Sequence, residues 1–241
     1  MFLVIHKGEN DIMIYITGDL HGGIDISKLN MKNFPQQKQL TKKDYVLICG
    51  DFGLVFDNSK EKLFWRNWLH ERNFVTIFVD GNHECFPLLN KFPVQQWNGG
   101  KVHFINDSII HLMRGQIYTI DGLKFFTMGG ATSIDKHRRI EGKSWWKEEI
   151  PSRKEFDEAM DNLDRHDWSV DYVISHTCSM RIMQERGYIK ENTTLNKFFD
   201  MLEEDLEYKH WYFGHFHNSV GIDDKHTMIY NEIIELKNGV D

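Results

Sequence analysis

Eight acidic, amide and imidazole side chains stand at the ends of apolar segments, where a packed core does not need them. They are Asp19, His21, Asp51, Asn82, His83, His176, His215 and His217. Imidazole and carboxylate groups together are ligands for divalent transition metals. The Asp-x-His and His-x-His spacings add to this, because residues two apart in an extended segment point the same way. One such pair would be an ordinary turn, but five of these motifs in one chain predict a metal site.

Short apolar strands must position these side chains, and the first three share one arrangement. Residues 12–17, 45–49 and 75–79 are rich in β-branched and apolar side chains, and each run leads into a glycine and a polar residue. Residues 59–71 carry apolar positions at helical spacing. Strands that alternate with such segments predict parallel βαβ units. In open α/β sheets, ligands bind at the carboxyl ends of the strands.

Residues 101–128 predict a different arrangement, an antiparallel meander of short strands joined by tight turns. The Asp121-Gly122 pair suits a type I′ hairpin. The predicted strands of the meander are 102–105, 109–112, 117–120 and 123–128. The fold therefore mixes parallel and antiparallel sheet.

The last third of the chain predicts further helices and strands. Ser152 and Glu155 form a capping box that begins a helix. The other predicted elements are a helix at 195–206 and strands at 170–175, 211–213 and 228–230. No repeat or linker interrupts the sequence, which predicts one domain over residues 1–241.

Composition and charge exclude several classes of protein. The 241 residues are 41% apolar and 27% charged. The formal net charge of −7 disfavours nucleic acid as a partner, and a local basic loop is the alternative that this charge leaves open. No apolar run approaches the ~20 residues that span a bilayer, and residues 1–10 lack the features of a signal peptide. Cys49, Cys85 and Cys178 are widely spaced and odd in number, which fits reduced thiols. We expect a cytoplasmic protein without a membrane partner.

The ordered motifs resemble the complete signature of the calcineurin-like metallophosphoesterases, the binuclear metallophosphatases. The motifs run from residue 18 to residue 217 in the family's order, so the resemblance covers nearly the whole chain. They are Gly18-Asp19-Leu20-His21-Gly22, Gly50-Asp51, Gly81-Asn82-His83-Glu84, His176 and Gly214-His215-Phe216-His217. The resemblance implies an α/β fold, a four-layer α/β/β/α sandwich of two mixed β-sheets flanked by helices.

The resemblance also implies two divalent metal ions, with Mn²⁺ expected first and Fe, Zn, Ni or Co as alternatives. The first ion would be held by Asp19, His21, Asp51 and His217. The second would be held by Asp51, Asn82, His176 and His215, so that Asp51 bridges the pair. Two such ions, two carboxylates and a bridging hydroxide leave a residual charge of +1, which attracts a phosphate group. Paired ions can also generate the hydroxide that attacks it.

His83 is left without a metal in this assignment. By its resemblance to the family's Asn-His pair, it would protonate the leaving-group oxygen or stabilise the transition state. The alternative is that it only orients a metal ligand. Asp80 and Glu84 are possible partners for its ring.

The sequence departs from the protein Ser/Thr phosphatases of this superfamily, which carry an Arg-Gly segment after the second Gly-Asp. Here Asp51 is followed by Phe52-Gly53-Leu54-Val55, without an arginine. This argues against a protein phosphatase. The candidates for the phosphate clamp are Arg138, Arg139 and Lys143 in the 132–150 loop. Trp145 and Trp146 in the same loop would either stack a nucleobase or pack on the domain.

The sequence therefore predicts a binuclear-metal phosphohydrolase with a metal-bound hydroxide as nucleophile. A phosphodiesterase or phosphatase acting on a nucleotide or another small phosphoester is the leading interpretation. One alternative is a metal-dependent nuclease, which the acidic net charge disfavours. The other is a catalytically silent binding module, which would be expected to lose ligands, whereas this chain retains every one.

Overall fold

Two β-sheets packed face to face form the centre of the protein. The computed structural model describes residues 12–188 and 192–236. The predicted absence of a signal peptide at residues 1–10 lies outside the described residues. The strands are β1 (Ile14–Thr17), β2 (Tyr45–Ile48), β3 (Val75–Phe78), β4 (Val94–Trp97), β5 (Gly100–Asn106), β6 (Ile109–Leu112), β7 (Gln116–Ile120), β8 (Leu123–Met128), β9 (Tyr172–Ser175), β10 (His210–Phe213), β11 (Val220–Gly221), β12 (His226–Met228) and β13 (Ile233–Leu236).

Both sheets are mixed, as predicted. The seven-stranded sheet has the order β13-β1-β2-β3-β6-β5-β4, and the six-stranded sheet has the order β11-β12-β10-β9-β8-β7. The first three strands run parallel in register, so that Thr17, Ile48 and Phe78 lie side by side at their carboxyl ends. Strands β8, β9 and β10 are also mutually parallel. Each sheet therefore brings several carboxyl ends to one edge.

Helices cover the outer faces of the sheets and complete four layers, so the predicted fold is confirmed. The helices are α1 (Lys60–His70), α2 (Phe86–Leu89), α3 (Arg153–Arg165), α4 (Met180–Glu185) and α5 (Thr194–Asp205). The predicted capping box is present: the Ser152 side chain accepts from the Glu155 N–H, and the Glu155 side chain accepts from the Ser152 N–H. Within the described ranges, none of the helices has the length and apolar character needed to cross a bilayer.

Three apolar clusters hold the layers together, and strand alternation separates them. In β1, Ile14 and Ile16 belong to the cluster between the sheets, which also includes Phe125 and Ile174 from the second sheet. Tyr15 points to the opposite face and packs in a cluster with Leu69 of α1. The third cluster fills the outer face of the second sheet, where α3, α4 and α5 pack. A period of two along each strand produces this division.

The predicted single meander over residues 101–128 is wrong. Strands β5 and β6 form a hairpin in the seven-stranded sheet, whereas β7 and β8 form a hairpin in the six-stranded sheet. The chain crosses between sheets at Arg114-Gly115. A side chain at Gly115 would meet Ala159 of α3, since an added Cβ would lie 2.8 Å from the Ala159 Cβ. The Asp121-Gly122 turn has φ values of 52° and 78°, as a type I′ hairpin requires.

Candidate metal centre

The carboxyl ends of five strands, three in one sheet and two in the other, bring the predicted ligands together. Asp19, Asp51 and Asn82 follow β1, β2 and β3, while His176 follows β9 and the His-x-His motif follows β10. The carboxylates of Asp19 and Asp51 are almost completely buried. Three groups of side chains place donor atoms within 4.8 Å of one another: Asp19, His21 and His217; His21, Asp51 and His83; and Asp19, Asp51 and His176.

The backbone at several candidate ligands is left-handed rather than extended. The φ values are 45° at both His21 and Asp51, 70° at His215 and 50° at His217. L-residues rarely adopt this region, and such strain concentrates at functional sites. The predicted convergence of the Asp-x-His pair is present, but its predicted reason was wrong. A turn, not an extended segment, directs Asp19 and His21 to one place.

Glycines beside the ligands allow the turns to approach one another closely. A Cβ at Gly81 would lie 2.1 Å from Asp51 Oδ1 and 2.7 Å from His176 Nε2. A Cβ at Gly214 would lie 2.1 Å from Asp19 Oδ1. The glycines of the sequence motifs are therefore required by the packing of the ligands and not only by their turns.

The separations between donor atoms fit metal coordination. Donors bound to one ion at about 2.1 Å lie roughly 3.0–3.4 Å from one another at octahedral or tetrahedral angles. Asp51 directs Oδ2 to His21 and Oδ1 to His176, which fits the predicted bridging position. The observed separations are 3.2 Å for His21 Nε2 to Asp51 Oδ2, 3.3 Å for His176 Nε2 to Asp51 Oδ1, 3.3 Å for His217 Nε2 to Asp19 Oδ2 and 3.3 Å for His176 Nε2 to Asn82 Oδ1.

Two of the histidines are oriented by partners that leave Nε2 directed to the site. His21 Nδ1 lies 2.7 Å from Asp25 Oδ2, and His176 Nδ1 lies 2.8 Å from the Cys49 carbonyl oxygen. A hydrogen bond from one ring nitrogen fixes the tautomer and frees the other for a metal. Asp25 was not among the predicted site residues, although a carboxylate four residues after His21 was a usable signal.

The electrostatics of the site favour a cation. Burial alone would raise the pKa of Asp51, but the charge of His176 and hydrogen bonds from His176 and His21 hold that pKa well below its ordinary value. Burial opposes the charged form of His176, yet Asp51 and Asp19 raise its pKa to about 10. The two buried carboxylates thus retain their negative charge and attract positive groups.

His215 and His83 also lie at the site. The His215 N–H donates to Asp19 Oδ1 at 2.9 Å, and its ring packs edge-on against His176 at 4.9 Å. The His83 N–H donates to Asp51 Oδ1 at 2.7 Å, and its Nε2 lies 3.9 Å from Asp51 Oδ2. Its side chain is 35% exposed. This position is compatible with proton donation and also with metal binding, so the predicted role of His83 stays a prediction.

The suggested ring partners of His83 have other contacts. Asp80 receives hydrogen bonds from Arg114 and lies 3.1 Å from His111 Nε2. Glu84 accepts from the Gly53 N–H at 3.2 Å. Asp51 is the carboxylate that lies beside the His83 ring.

A cavity of about 570 Å³ opens in front of these side chains. Arg139 lines it and is paired with Asp135 at 2.7 Å. Arg138 and Lys143 are exposed and are not among its lining residues. The whole lining set is Asp51, Asn82, His83, Ser133, Ile134, Asp135, Arg139, Gly187, Tyr188, His215, Phe216 and His217. Of the three predicted clamp residues, the structure brings only Arg139 to the cavity.

The tryptophans of the 132–150 loop do not line the cavity. Trp146 is buried, and its ring packs edge-on against Phe56 at 5.4 Å. Trp145 is partly buried, with Lys136 Nζ 5.8 Å from its ring. For Trp146, packing on the domain is therefore the observed alternative. The aromatic wall of the cavity is formed instead by Tyr188 and Phe216, whose rings are 4.7 Å apart.

The strand arrangement and the donor set together define a metallohydrolase-like centre between two mixed sheets. A sequence model of the calcineurin-like phosphoesterases matches residues 12–219. The chain belongs to this family of hydrolases.

The chain is also similar to individual proteins. It is 23% identical to a lariat debranching enzyme from Arabidopsis thaliana over 241 aligned positions, covering 85% of this chain and 54% of that protein. It is 21% identical to lariat debranching enzyme A from Xenopus laevis, covering 85% of this chain and 42% of that protein. The chain thus spans about half the length of these curated relatives. A crystal structure described as a "Putative 5′-Nucleotidase" from Staphylococcus aureus aligns with a TM-score of 0.49 and 16% identity, over 91% of this chain and 48% of that one.

Proposed function

We propose that this chain hydrolyses a small phosphoester with the help of two divalent metal ions. The observation that supports the proposal is the placement of the Asp51 carboxylate, which would let one oxygen face each ion. Its two oxygens face His21 and His176 at 3.2 and 3.3 Å, each at the spacing of ligands on a shared ion. A second buried carboxylate, Asp19, faces His217 in the same way. A catalytically silent scaffold would have no need to retain this complete set.

The ions would be held as the family resemblance implies. Asp19, His21, Asp51 and His217 would hold one ion, and Asp51, Asn82, His176 and His215 the other. When bound, such ions supply positive charge at the phosphoryl oxygens and lower the pKa of water. Imidazole ligands suit Zn, Cu, Fe and Ni, whereas carboxylate and carbonyl oxygens suit Mn. The set contains both kinds of donor, and we expect Mn²⁺, the ion that the family resemblance puts first, to activate the chain.

The protein's own side chains complete the cavity. Arg139 offers a guanidinium group for a phosphate oxygen, while its partner Asp135 holds the side chain in place. His83 is placed to transfer a proton to a leaving-group oxygen. Tyr188, Phe216 and Ile134 add apolar surface to the lining of the same cavity. A phosphoester with a planar group, such as a nucleotide, would use both the charged and the apolar side chains of this lining.

Hydrolysis of p-nitrophenyl phosphate and bis(p-nitrophenyl) phosphate tests the proposal. We expect activity that is lost on chelation, returns with Mn²⁺, and falls at least about 100-fold in Asp51→Asn, because the bridging ligand loses its charge. Asp161→Asn, an exposed carboxylate on α3, is the matched control and should retain full activity. Unchanged hydrolysis after complete chelation would refute the metal-dependent mechanism.

A phosphodiesterase is favoured over a phosphatase. Both curated relatives are named lariat debranching enzymes, and the cavity of about 570 Å³ is larger than a phosphate group alone requires. The bis ester should therefore be cleaved faster than the monoester. A branched RNA, a linear single strand and a duplex in the same assay test the nuclease alternative, which the net charge of −7 disfavours.

We propose a cytoplasmic location as well. Cys49, Cys85 and Cys178 are free thiols, and Cys49 and Cys178 are buried, as is usual in a reducing compartment. Fractionation of cells that express the tagged chain tests this proposal.

A further inference from the structure

A buried hydrogen-bonded chain runs from the 132–150 loop to the candidate ligand Asn82. Glu149 and Ser133 are each 2% exposed, and Asn82 is 4% exposed. The Ser133 hydroxyl donates to Glu149 Oε1 at 2.9 Å, and the Ser133 N–H donates to Glu149 Oε2 at 2.8 Å. Asn82 Nδ2 donates to Ser133 Oγ at 3.3 Å. The hydrogen bonds of this chain thus all point the same way: the Asn82 amide donates to the Ser133 hydroxyl, and the hydroxyl donates to the Glu149 carboxylate.

The direction of this chain follows from the inventory of donors and acceptors. An ionised carboxylate only accepts hydrogen bonds, so Glu149 takes the single proton of the Ser133 hydroxyl. The lone pairs of Ser133 Oγ are then left to accept, and the neighbouring donor is the Asn82 amide nitrogen. The amide is therefore fixed with Nδ2 towards Ser133. Its Oδ1 must face the opposite side, where His176 Nε2 lies 3.3 Å away.

Fixing the amide matters because its two ends are equal in size and opposite in character. A carbonyl oxygen coordinates a cation, whereas an NH₂ group repels it. Asn82 is a neutral ligand and has no charge that would orient it towards an ion. A hydrogen bond donated by its nitrogen end is the means by which the protein can favour one orientation over the other.

The loop is held where it can make this contact. The Gly130 N–H donates to the Asp80 carbonyl oxygen at 2.9 Å, which joins the start of the loop to the turn that carries Asn82. A Cβ at Gly130 would lie 2.5 Å from the Glu149 carbonyl oxygen, so the two ends of the loop also lie close together. Ser133 and Glu149 are consequently brought together from positions 16 residues apart.

We propose that Ser133 and Glu149 are positioning residues, which hold the Asn82 carbonyl oxygen towards the second metal ion. This inference rests on the proposed function, since it presumes the binuclear centre. It assigns a role to the buried part of the 132–150 loop, apart from the exposed Arg138 and Lys143. Partners that orient a ligand in this way typically contribute about 10–100-fold to metal affinity.

Titration of the metal-free protein with Mn²⁺ alone, followed by calorimetry and by metal analysis, tests the inference. We expect the wild-type chain to bind two ions. Ser133→Ala should bind one ion as the wild type does and the other about 10–100-fold more weakly. Ser144→Ala is the matched control, because this serine lies in the same loop and its hydroxyl accepts from the Ile140 N–H. It should bind both ions with wild-type affinity.

Two further variants separate orientation from general damage. In Glu149→Gln the side-chain amide can donate to Ser133 Oγ, so the Ser133 hydroxyl proton turns towards Asn82 and favours the reversed orientation of the Asn82 amide. This variant should weaken binding of the second ion at least as much as Ser133→Ala does. In an Asn82→Asp background either oxygen can face the ion. There, adding Ser133→Ala should change Mn²⁺ affinity by less than about threefold.

The outcomes distinguish the inference from the proposal on which it rests. A wild-type chain that binds fewer than two ions overturns both. If the wild type binds two ions and Ser133→Ala binds them equally well, the positioning role alone is refuted. The positioning role is also refuted if Ser133→Ala weakens the binding of both ions equally, or if it still lowers Mn²⁺ affinity in the Asn82→Asp background. Either result would mean that Ser133 only supports the local structure.

Discussion

The buried pair of Asp80 and Arg114 supports the turn that carries Asn82, and loss of Arg114 should lower the free energy of unfolding substantially. Asp80 is 1% exposed and accepts from Arg114 Nε at 2.8 Å and from Arg114 Nη2. His111 Nε2 lies 3.1 Å from its other oxygen. Burial opposes ionisation of Asp80, but the charge of Arg114 and the contact with His111 lower its pKa far below the ordinary value. Asp80 is therefore a buried anion that depends on its partners.

Arg114→Met keeps the apolar stem and removes both donors to Asp80, together with the hydrogen bond from Nη2 to the Glu148 carbonyl oxygen. Two charge-assisted hydrogen bonds contribute about 1.5–3 kcal/mol each, and loss of one partner of a buried pair costs about 3–5 kcal/mol. We expect urea unfolding at pH 7.5 to show a loss of stability in that range. Arg153→Met is the control, because this arginine forms an exposed pair with Asp157 and should change stability by less than about 1 kcal/mol.

A second substitution distinguishes an unpaired charge from lost packing. Asp80→Asn in the Arg114→Met background removes the stranded anion, so the double variant should be more stable than Arg114→Met alone by at least about 1 kcal/mol. The reasoning is refuted if Arg114→Met loses less than about 1 kcal/mol, or if the double variant recovers nothing.

Two other substitutions address close packing and pH. Gly81→Ala places a Cβ 2.1 Å from Asp51 Oδ1 and should abolish Mn²⁺ uptake in metal analysis. Gly221→Ala is the control, because its added Cβ meets nothing within 4 Å, and it should bind metal normally. Equal Mn²⁺ uptake by the two variants would contradict the requirement for glycine at position 81. Burial and the adjacent His111 lower the pKa of His103 to about 4. Because the unfolded imidazole titrates near 6.5, this histidine costs stability as pH falls below about 6.5. Between pH 7 and pH 5 the wild type should therefore lose about 2 kcal/mol more than His103→Gln in urea unfolding, and parallel losses would refute the assignment.

The sequence was sufficient to predict the strands and ligands of the first sheet. Residues 12–17, 45–49 and 75–79 carry continuous apolar runs, and such runs identify buried parallel strands without knowledge of tertiary contacts. The polar residues after them lie at the predicted sheet edge. Local patterning and parallel topology together decide this part of the site.

Elements that depend on distant contacts could not be predicted in the same way. The meander was misread because Arg114-Gly115 has the composition of an ordinary turn, and only its packing against Ala159 shows that the chain changes sheets there. Strand β4 was missed because its side chains are mostly exposed and polar, so no apolar run marks it. It pairs with β5 at the edge of the sheet.

Ser133 and Glu149 could not be predicted from the sequence for a related reason. Ser133 contacts Asn82 across 51 positions of sequence, and a serine in a polar loop has no pattern that distinguishes it from its neighbours. The basic residues of that loop were predicted to bind phosphate because a charged side chain can be recognised from the sequence alone. The structure gives the buried positions to Ser133 and Glu149 instead, because a side chain that orients a buried ligand must itself be buried and satisfied.

Two sets of contacts hold Asn82 in place: the Asp80–Arg114 pair, which supports its turn, and Ser133 with Glu149, which contact its side chain. Adjacent residues of the 132–150 loop link the two sets. Arg114 Nη2 donates to the Glu148 carbonyl oxygen at 2.8 Å while it also holds Asp80. Glu149, the next residue, holds Ser133. Loss of Arg114 should therefore disturb both sides of the Asn82 turn. Arg114→Met is expected to weaken the second Mn²⁺ ion even under conditions where the chain is fully folded, whereas a purely global loss of stability would leave metal affinity of the folded protein unchanged.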